Sequence, residues 1–185
     1  MPGGSHQYIT GWPVKIASGR LCRVAQSGSS DADRHWLSAA VELSRRCIPS
    51  ASAFSVGALL VAADGAVLSD GYSRELDPAD HAEEVALAKI GFPRFGGSAA
   101  VSGGLAGAIM YSSLEPCATR TSRPAPCADL IIASGIGRVV IAWTEPPLLA
   151  PGGGAGRLRA AGVSVVYVPE LAAAARAVNA HLLAG

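Results

Sequence analysis

Residues 54–90, FSVGALLVAADGAVLSDGYSRELDPADHAEEVALAKI, decide how this chain folds. Phe54–Ala63 is a continuous apolar run that stops at Asp64-Gly65, and Val67–Ser73 resumes beyond it, the pattern of two strands joined by an Asp-Gly turn. His81–Ile90 then reads as a helix. Upstream, Ser30 or Asp31 can cap a helix in which Trp36, Ala40, Leu43 and Cys47 recur at i, i+4, i+7 and i+11, a buried stripe. Downstream, residues 91–107 carry six glycines and read as a flexible excursion. Ile109–Ser113 is a strand, Ala128–Ser134 a helix closed by Gly135, and Arg138–Trp143 a further strand. A helix at Gly156–Ala161, a strand at Val163–Val168 and an Ala-rich helix opened by Pro169 complete the series. The order from residue 31 is α-β-β-α-β-α-β-α-β-α, which predicts an α/β fold whose largely parallel sheet is covered by helices and made mixed by its antiparallel first hairpin.

With 185 residues, half of them hydrophobic, and a mean hydropathy of +0.33, the chain has enough apolar side chain for a single core. That domain is expected over residues 30–185, with residues 1–29 an N-terminal extension to which the sequence assigns no fold. Fifteen Lys and Arg against fourteen Asp and Glu, without any basic run, argue against a nucleic-acid partner. Apolar stretches such as Val56–Ala63 fall far short of the ~20 residues that span a bilayer, so no membrane association and a cytoplasmic location are expected. Four cysteines, Cys22, Cys47, Cys117 and Cys127, then read as thiols or metal ligands rather than a disulfide framework.

Three ligand-type residues stand out: His81 in His81-Ala82-Glu83, Cys117 in Glu115-Pro116-Cys117, and Cys127 in Pro126-Cys127. One His and two Cys suit tetrahedral Zn2+, and three protein ligands leave a fourth position for water, as in catalytic sites. Zinc would lower the pKa of that water from about 15.7 to near 7. Glu83 is the candidate acid and base that moves the protons. Residues i and i+2 of a regular helix point roughly 200° apart, so His81 must sit at the helix cap for both side chains to face one metal. Asp77, Pro78 and Asp80 supply the loop that permits this. Pro126 likewise puts Cys127 at a helix start, where the dipole favours a thiolate.

An H-x-E motif followed by P-C-x-x-C marks zinc nucleobase deaminases. The first half fits, whereas nine residues separate Cys117 from Cys127. His81-Ala82-Glu83 with Ala86-Leu87, Ser113-Leu114-Glu115-Pro116-Cys117, Arg123 and Pro126-Cys127 resemble the deaminase domain of RibD-type riboflavin-biosynthesis enzymes, in the cytidine-deaminase-like superfamily. In that branch an extended loop carrying an Arg separates the two zinc cysteines. The resemblance continues through Val56-Gly57, Glu145-Pro146 and Gly156–Val166, and covers about residues 33–182. It implies a three-layer α/β/α sandwich with a mixed five-stranded sheet. The implied reaction is hydrolytic removal of an amine from a diaminopyrimidinone ribosyl phosphate, and the implied assembly a homodimer, with a separate reductase acting in the same pathway.

The chain also departs from that family. The Asn-Pro-x-Val-Gly substrate loop reads Ala53-Phe54-Ser55-Val56-Gly57, and Ala118-Thr119-Arg120-Thr121-Ser122 replaces a stretch with His and Gly. These changes keep open a deaminase of another nucleobase, nucleoside or nucleotide, and, outside enzymes, a degenerate zinc-containing scaffold. Arg123 and Arg120 read either as a fork for a substrate phosphate or as solvated loop charges. Phe54 reads as core or as a face on which a pyrimidine stacks. Backbone groups near Ser112, Ser113 and Leu114 would receive the departing amine. Glu84 reads as an exposed helix-start acid, Cys47 as core, and Gly152-Gly153-Gly154 as a flexible lead-in to the next helix.

Overall fold

In the computed structural model, residues 28–94, 105–146, 148 and 152–183 are described; the N-terminal residues 1–27 and most of the Gly-rich stretch lie outside them. Helix α1 spans Asp31–Ser44 and opens with a reciprocal cap. The Ser30 hydroxyl accepts the Asp33 N–H at 3.1 Å while the Asp33 carboxylate accepts the Ser30 N–H at 2.8 Å. Trp36, Leu37, Ala40, Val41 and Leu43 form its buried face. Strands β1 (Gly57–Val61) and β2 (Val67–Tyr72) form the expected antiparallel hairpin around Asp64-Gly65. Helix α2 (Ala82–Lys89), strand β3 (Ile109–Ser112), helix α3 (Cys127–Ser134) and strand β4 (Arg138–Ile141) follow. Helix α4 (Gly154–Ala160), strand β5 (Ser164–Tyr167), a 3-10 turn at Pro169–Leu171, and helices α5 (Ala172–Val178) and α6 (Ala180–Leu183) complete the domain.

The sheet order is β2-β1-β3-β4-β5. β3, β4 and β5 are mutually parallel, and β1 is antiparallel to both of its neighbours. The sheet is therefore evenly mixed in its pairings rather than largely parallel. The crossover through α2 passes over β1 and sets β3 down on its far side, pointing as β2 does, so β1 is flanked by two antiparallel partners. Every residue of β1 is buried, as a central strand requires, and Leu60, Met110, Val140 and Ile141 line the middle of the core.

Helix α1 packs on one face of β1 and β3, with α5 beside it, while α2, α3 and α4 cover the other face. The approach of α2 is tight: a Cβ at Gly71 would lie 2.3 Å from the Ala82 carbonyl oxygen. Only glycine lets the first turn of α2 settle on the β2 edge of the sheet. This arrangement gathers the start of β1, the ends of β3 and β4, and the N-termini of α2 and α3 at one edge, where open α/β sheets hold their ligands. No helix among the described residues is long and apolar enough to cross a membrane.

Candidate active site

His81 occupies the N-cap of α2 with extended backbone, φ −98° and ψ 153°, so it lies outside the helical spiral. That geometry lets its ring and the Glu83 side chain serve one cavity despite their i, i+2 spacing. Cys117 follows β3 on the Glu115-Pro116 turn, and Cys127 is the first residue of α3, immediately after its Pro126 N-cap. The Cys127 N–H donates to Cys117 Sγ at 3.3 Å, one of the free N–H groups of that helix start. His81 Nδ1 lies 3.5 Å from Cys117 Sγ and 3.4 Å from Cys127 Sγ. The three ligand atoms lie within 4.8 Å of one another.

These separations suit a tetrahedral ion. Bonds of about 2.3 Å to sulfur and about 2.0–2.1 Å to nitrogen put the S···N edge near 3.5 Å. The electrostatics are those of a cation site as well. Hydrogen bonds from Cys127 and from His81 hold the Cys117 thiol well below its ordinary range, against the burial that raises it. The Cys127 thiol is pushed up by sharing with Cys117 and by burial. Burial lowers the His81 pKa, but the Cys117 sulfur outweighs it and the net shift is upward.

The cluster opens onto a cavity of about 470 Å³ whose wall includes Phe54, Arg74, His81, Glu83, Cys117 and Glu145. Glu83 is 3% exposed, and its Oε1 accepts the Ser112 hydroxyl at 2.7 Å. Burial raises its pKa and the Ser112 bond opposes the rise. Glu145 also faces the cavity, with Oε2 buried and without a partner among the described residues. Burial, then repulsion from Cys117, Glu115 and Glu83, pushes it up to about 7.

His81, Cys117, Cys127, Glu83, Phe54 and Arg120 are thus brought together, with Cys127 behind the wall. Ser112 and Ser113 are not on the wall. Ser112 backs Glu83, and the Ser113 hydroxyl accepts the Gly57 N–H at 3.1 Å, joining the end of β3 to the start of β1. Phe54 packs edge-to-face on Trp143 at 5.7 Å between centroids. Its segment is fixed by Arg74, which donates to the Phe54 and Ile48 carbonyls from a left-handed backbone at φ 63°. Asn179 in turn accepts the Ser55 N–H and donates to the Ser55 carbonyl. Arg120 donates to Glu84 Oε2 at 2.9 Å and to the Ala79 carbonyl at 2.6 Å. Arg123 lies off the wall, bonded to Asp77 and Asp80.

Two expectations change here. Glu84 is 1% exposed and carries the Arg120 ion pair, because the loop between the cysteines lies across α2 where solvent was expected. Gly154, the last of Gly152-Gly153-Gly154, is a close docking contact rather than part of a slack lead-in: a Cβ there would stand 1.6 Å from the Pro116 carbonyl oxygen. Glu115, beside Pro116-Cys117, has a structural task that its motif alone does not reveal. Its carboxylate accepts N–H groups of Glu145, Gly153 and Ala155, tying the β4–α4 connection to the Cys117 turn. The signal for both was a buried-type acid beside Pro-Cys and a glycine triplet at one helix start.

Over 127 residues the chain is 38% identical to the diaminohydroxyphosphoribosylamino-pyrimidine deaminase of Schizosaccharomyces pombe, an alignment covering 69% of this chain and 30% of that protein. RibD of Acinetobacter baumannii matches with a TM-score of 0.61 and 28% identity, over 82% of this chain and 39% of that one. The chain thus spans well under half the length of both. A C-terminal deletion of the Aspergillus oryzae Rib2 deaminase, solved in complex with DARIPP, has the same fold, with a TM-score of 0.64 and 24% identity over 83% of this chain and 97% of that one. Residues 30–143 match the cytidine and deoxycytidylate deaminase zinc-binding region, and the chain belongs to that family.

Proposed function

We propose that this domain is a zinc-dependent hydrolytic deaminase of an aminopyrimidine, with the diaminopyrimidinone ribosyl phosphate of riboflavin biosynthesis as its substrate. The observation that carries the reading is the convergence of His81, Cys117 and Cys127 within 4.8 Å beside a cavity that also receives the buried Glu83. The likeness to the fission-yeast deaminase supports the substrate class.

His81, Cys117 and Cys127 would hold the zinc, which when bound acts as a Lewis acid and makes water a nucleophile at neutral pH. Glu83 does the proton work. As water oxygen adds to the ring carbon bearing the amine, the Glu83 carboxylate takes a proton and returns it to the adjacent ring nitrogen. A second proton passes to the amine, the C–N bond breaks, ammonia leaves and the carbonyl remains. Ser112, donating to Glu83 Oε1, leaves Oε2 to face the reacting atoms. Phe54 and residues 119–122 line the cavity around these groups.

The test is ammonia release by zinc-loaded protein offered the diaminopyrimidinone ribosyl phosphate, cytidine and deoxycytidine monophosphate in parallel. Turnover of the first is expected, and Glu83→Gln should retain zinc while losing about 10²–10⁴-fold in kcat. Undiminished turnover by that variant refutes the role of Glu83. A second reading, a deaminase of a different base, is favoured by Phe54 standing on the wall where the resembling family carries Pro, and exclusive turnover of a cytosine substrate would establish it.

A further inference from the structure

The loop from Ala118 to Pro126 links two of the three metal-type residues, yet it has no helix or strand of its own. It is held by side chains. Arg120 is 3% exposed along its side chain, and all three guanidinium nitrogens are engaged: Nη1 with Glu84 Oε2 at 2.9 Å, Nη2 with the Ala79 carbonyl at 2.6 Å, and Nε with the Ser122 hydroxyl at 3.3 Å. Ala79 lies two residues before His81 and Glu84 three residues after it. Arg120 itself lies three residues beyond Cys117. One rigid fork therefore grips the chain on both sides of the histidine from the cysteine side of the site.

The neighbouring charges extend the grip. Arg123 bonds Asp77 and Asp80, and Arg94 makes two bonds to the same Asp80 carboxylate. Asp80 and Glu84 are both fully buried as side chains, so their charges depend on these arginines. The hydrogen bonds of Arg120 run to α2, to the chain before it and to its own loop.

We propose that Arg120, through Glu84 and the Ala79 carbonyl, is a positioning residue that preorganises the metal centre by fixing the spacing between His81 and the two cysteines. This rests on the reading of that cluster as a zinc site. The chemistry supports the assignment over a simple stabilising pair: an arginine fork serves three directions at once, which the single ammonium of lysine does not reproduce. Groups that orient metal ligands from outside the coordination sphere change affinity by about 10–100-fold when removed.

The experiment compares zinc affinity, by competition with a chromophoric chelator, in the parent, Arg120→Met, Arg120→Lys and Arg138→Met. Arg138 pairs with the buried Asp33 at the other end of β4, so its loss destabilises the fold away from the site. The melting temperature of each metal-free protein and the cobalt(II) ligand-field spectrum are recorded alongside. Arg120→Met should bind zinc about 10–100-fold more weakly with an altered cobalt spectrum, and Arg120→Lys should fall between it and the parent. Arg138→Met should melt lower yet keep parental zinc affinity. If Arg120→Met does not fold, Arg120→Lys against Arg138→Met decides the question. Parental zinc affinity and spectrum in both Arg120 variants, or an equal loss in Arg138→Met, overturns the proposal. A parent that takes up no zinc overturns the zinc reading itself, and with it this role for Arg120.

Discussion

Replacing Gly154 by alanine tests whether the glycine triplet is a structural part of the site. The added methyl would stand 1.6 Å from the Pro116 carbonyl oxygen and 2.8 Å from its carbon, both backbone atoms that no rotamer change can move. Reaching ordinary contact at 3.4 Å requires the α4 start and the Cys117 turn to part by nearly two ångströms. Overpacking of this kind costs about 1–3 kcal/mol. The same parting strains the 2.8 Å bond from the Ala155 N–H to the buried Glu115 carboxylate, and losing a bond of that type costs a further ~1–3 kcal/mol. A combined ~2–6 kcal/mol corresponds to a melting temperature lower by about 4–24 °C for a domain of this size. Gly156 is the control, since it lies in the same helix with nothing within 4 Å of a Cβ, and Gly156→Ala should stabilise by about 0.4–1 kcal/mol. Thermal denaturation of the two variants, with and without zinc, reads the contrast. A Gly154→Ala protein that melts with the parent refutes the docking argument.

Two further perturbations address the support of the fold and the cavity wall. Burial raises the Asp33 carboxyl, but the Ser30 N–H and the Arg138 guanidinium outweigh it and leave its pKa below the ordinary value. Its charged form therefore contributes stability that is fully present above about pH 5 and is lost as pH falls through the unfolded value of ~3.9 towards the folded one. Asp33→Asn should be less stable than the parent at neutral pH, and urea titrations should show that gap narrowing below pH 4; a gap independent of pH refutes the linkage. Phe54→Leu keeps an apolar side chain of similar bulk but removes the ring that faces the cavity. If the ring stacks on substrate, a loss of about 1 kcal/mol or more raises KM by roughly fivefold or more with little change in kcat, whereas an unchanged KM confines Phe54 to packing against Trp143.

The parts of this protein that were legible in the sequence are those fixed by short-range chemistry. The Asp64-Gly65 hairpin, the Ser30 cap and the stripe through Trp36, Ala40 and Leu43 each depend on residues close in sequence, and each is present. The antiparallel pairing of β1 with β3 was not legible, because it depends on where the α2 crossover returns the chain, and nothing within either strand records that. Charge was the least legible property. Glu84 and Arg120 are 36 positions apart, and each alone reads as a surface residue; burial becomes affordable only when the loop between the cysteines brings them together. A guanidinium near a suspected phosphate site cannot be assigned to substrate until the buried acids around it have been matched.

The cysteine spacing shows how a departure from a motif can leave its geometry intact. In a P-C-x-x-C arrangement both sulfurs are set by one turn of chain. Here nine residues intervene, yet Cys117 and Cys127 stand 3.5 and 3.4 Å from the same His81 nitrogen. The reason is that each cysteine is anchored separately, Cys127 as the first residue of α3 and Cys117 on the turn that Glu115 fastens to α4. The intervening chain does not set the distance between the sulfurs, so it can vary in length provided it is held to the body of the domain. Arg120 supplies that hold from within the extra length, and the same stretch places Thr119, Thr121 and Ser122 on the cavity wall. The longer spacing therefore still brings His81, Cys117 and Cys127 within 4.8 Å of one another, provided Arg120 holds the loop in place, and it adds polar wall to the cavity beside them.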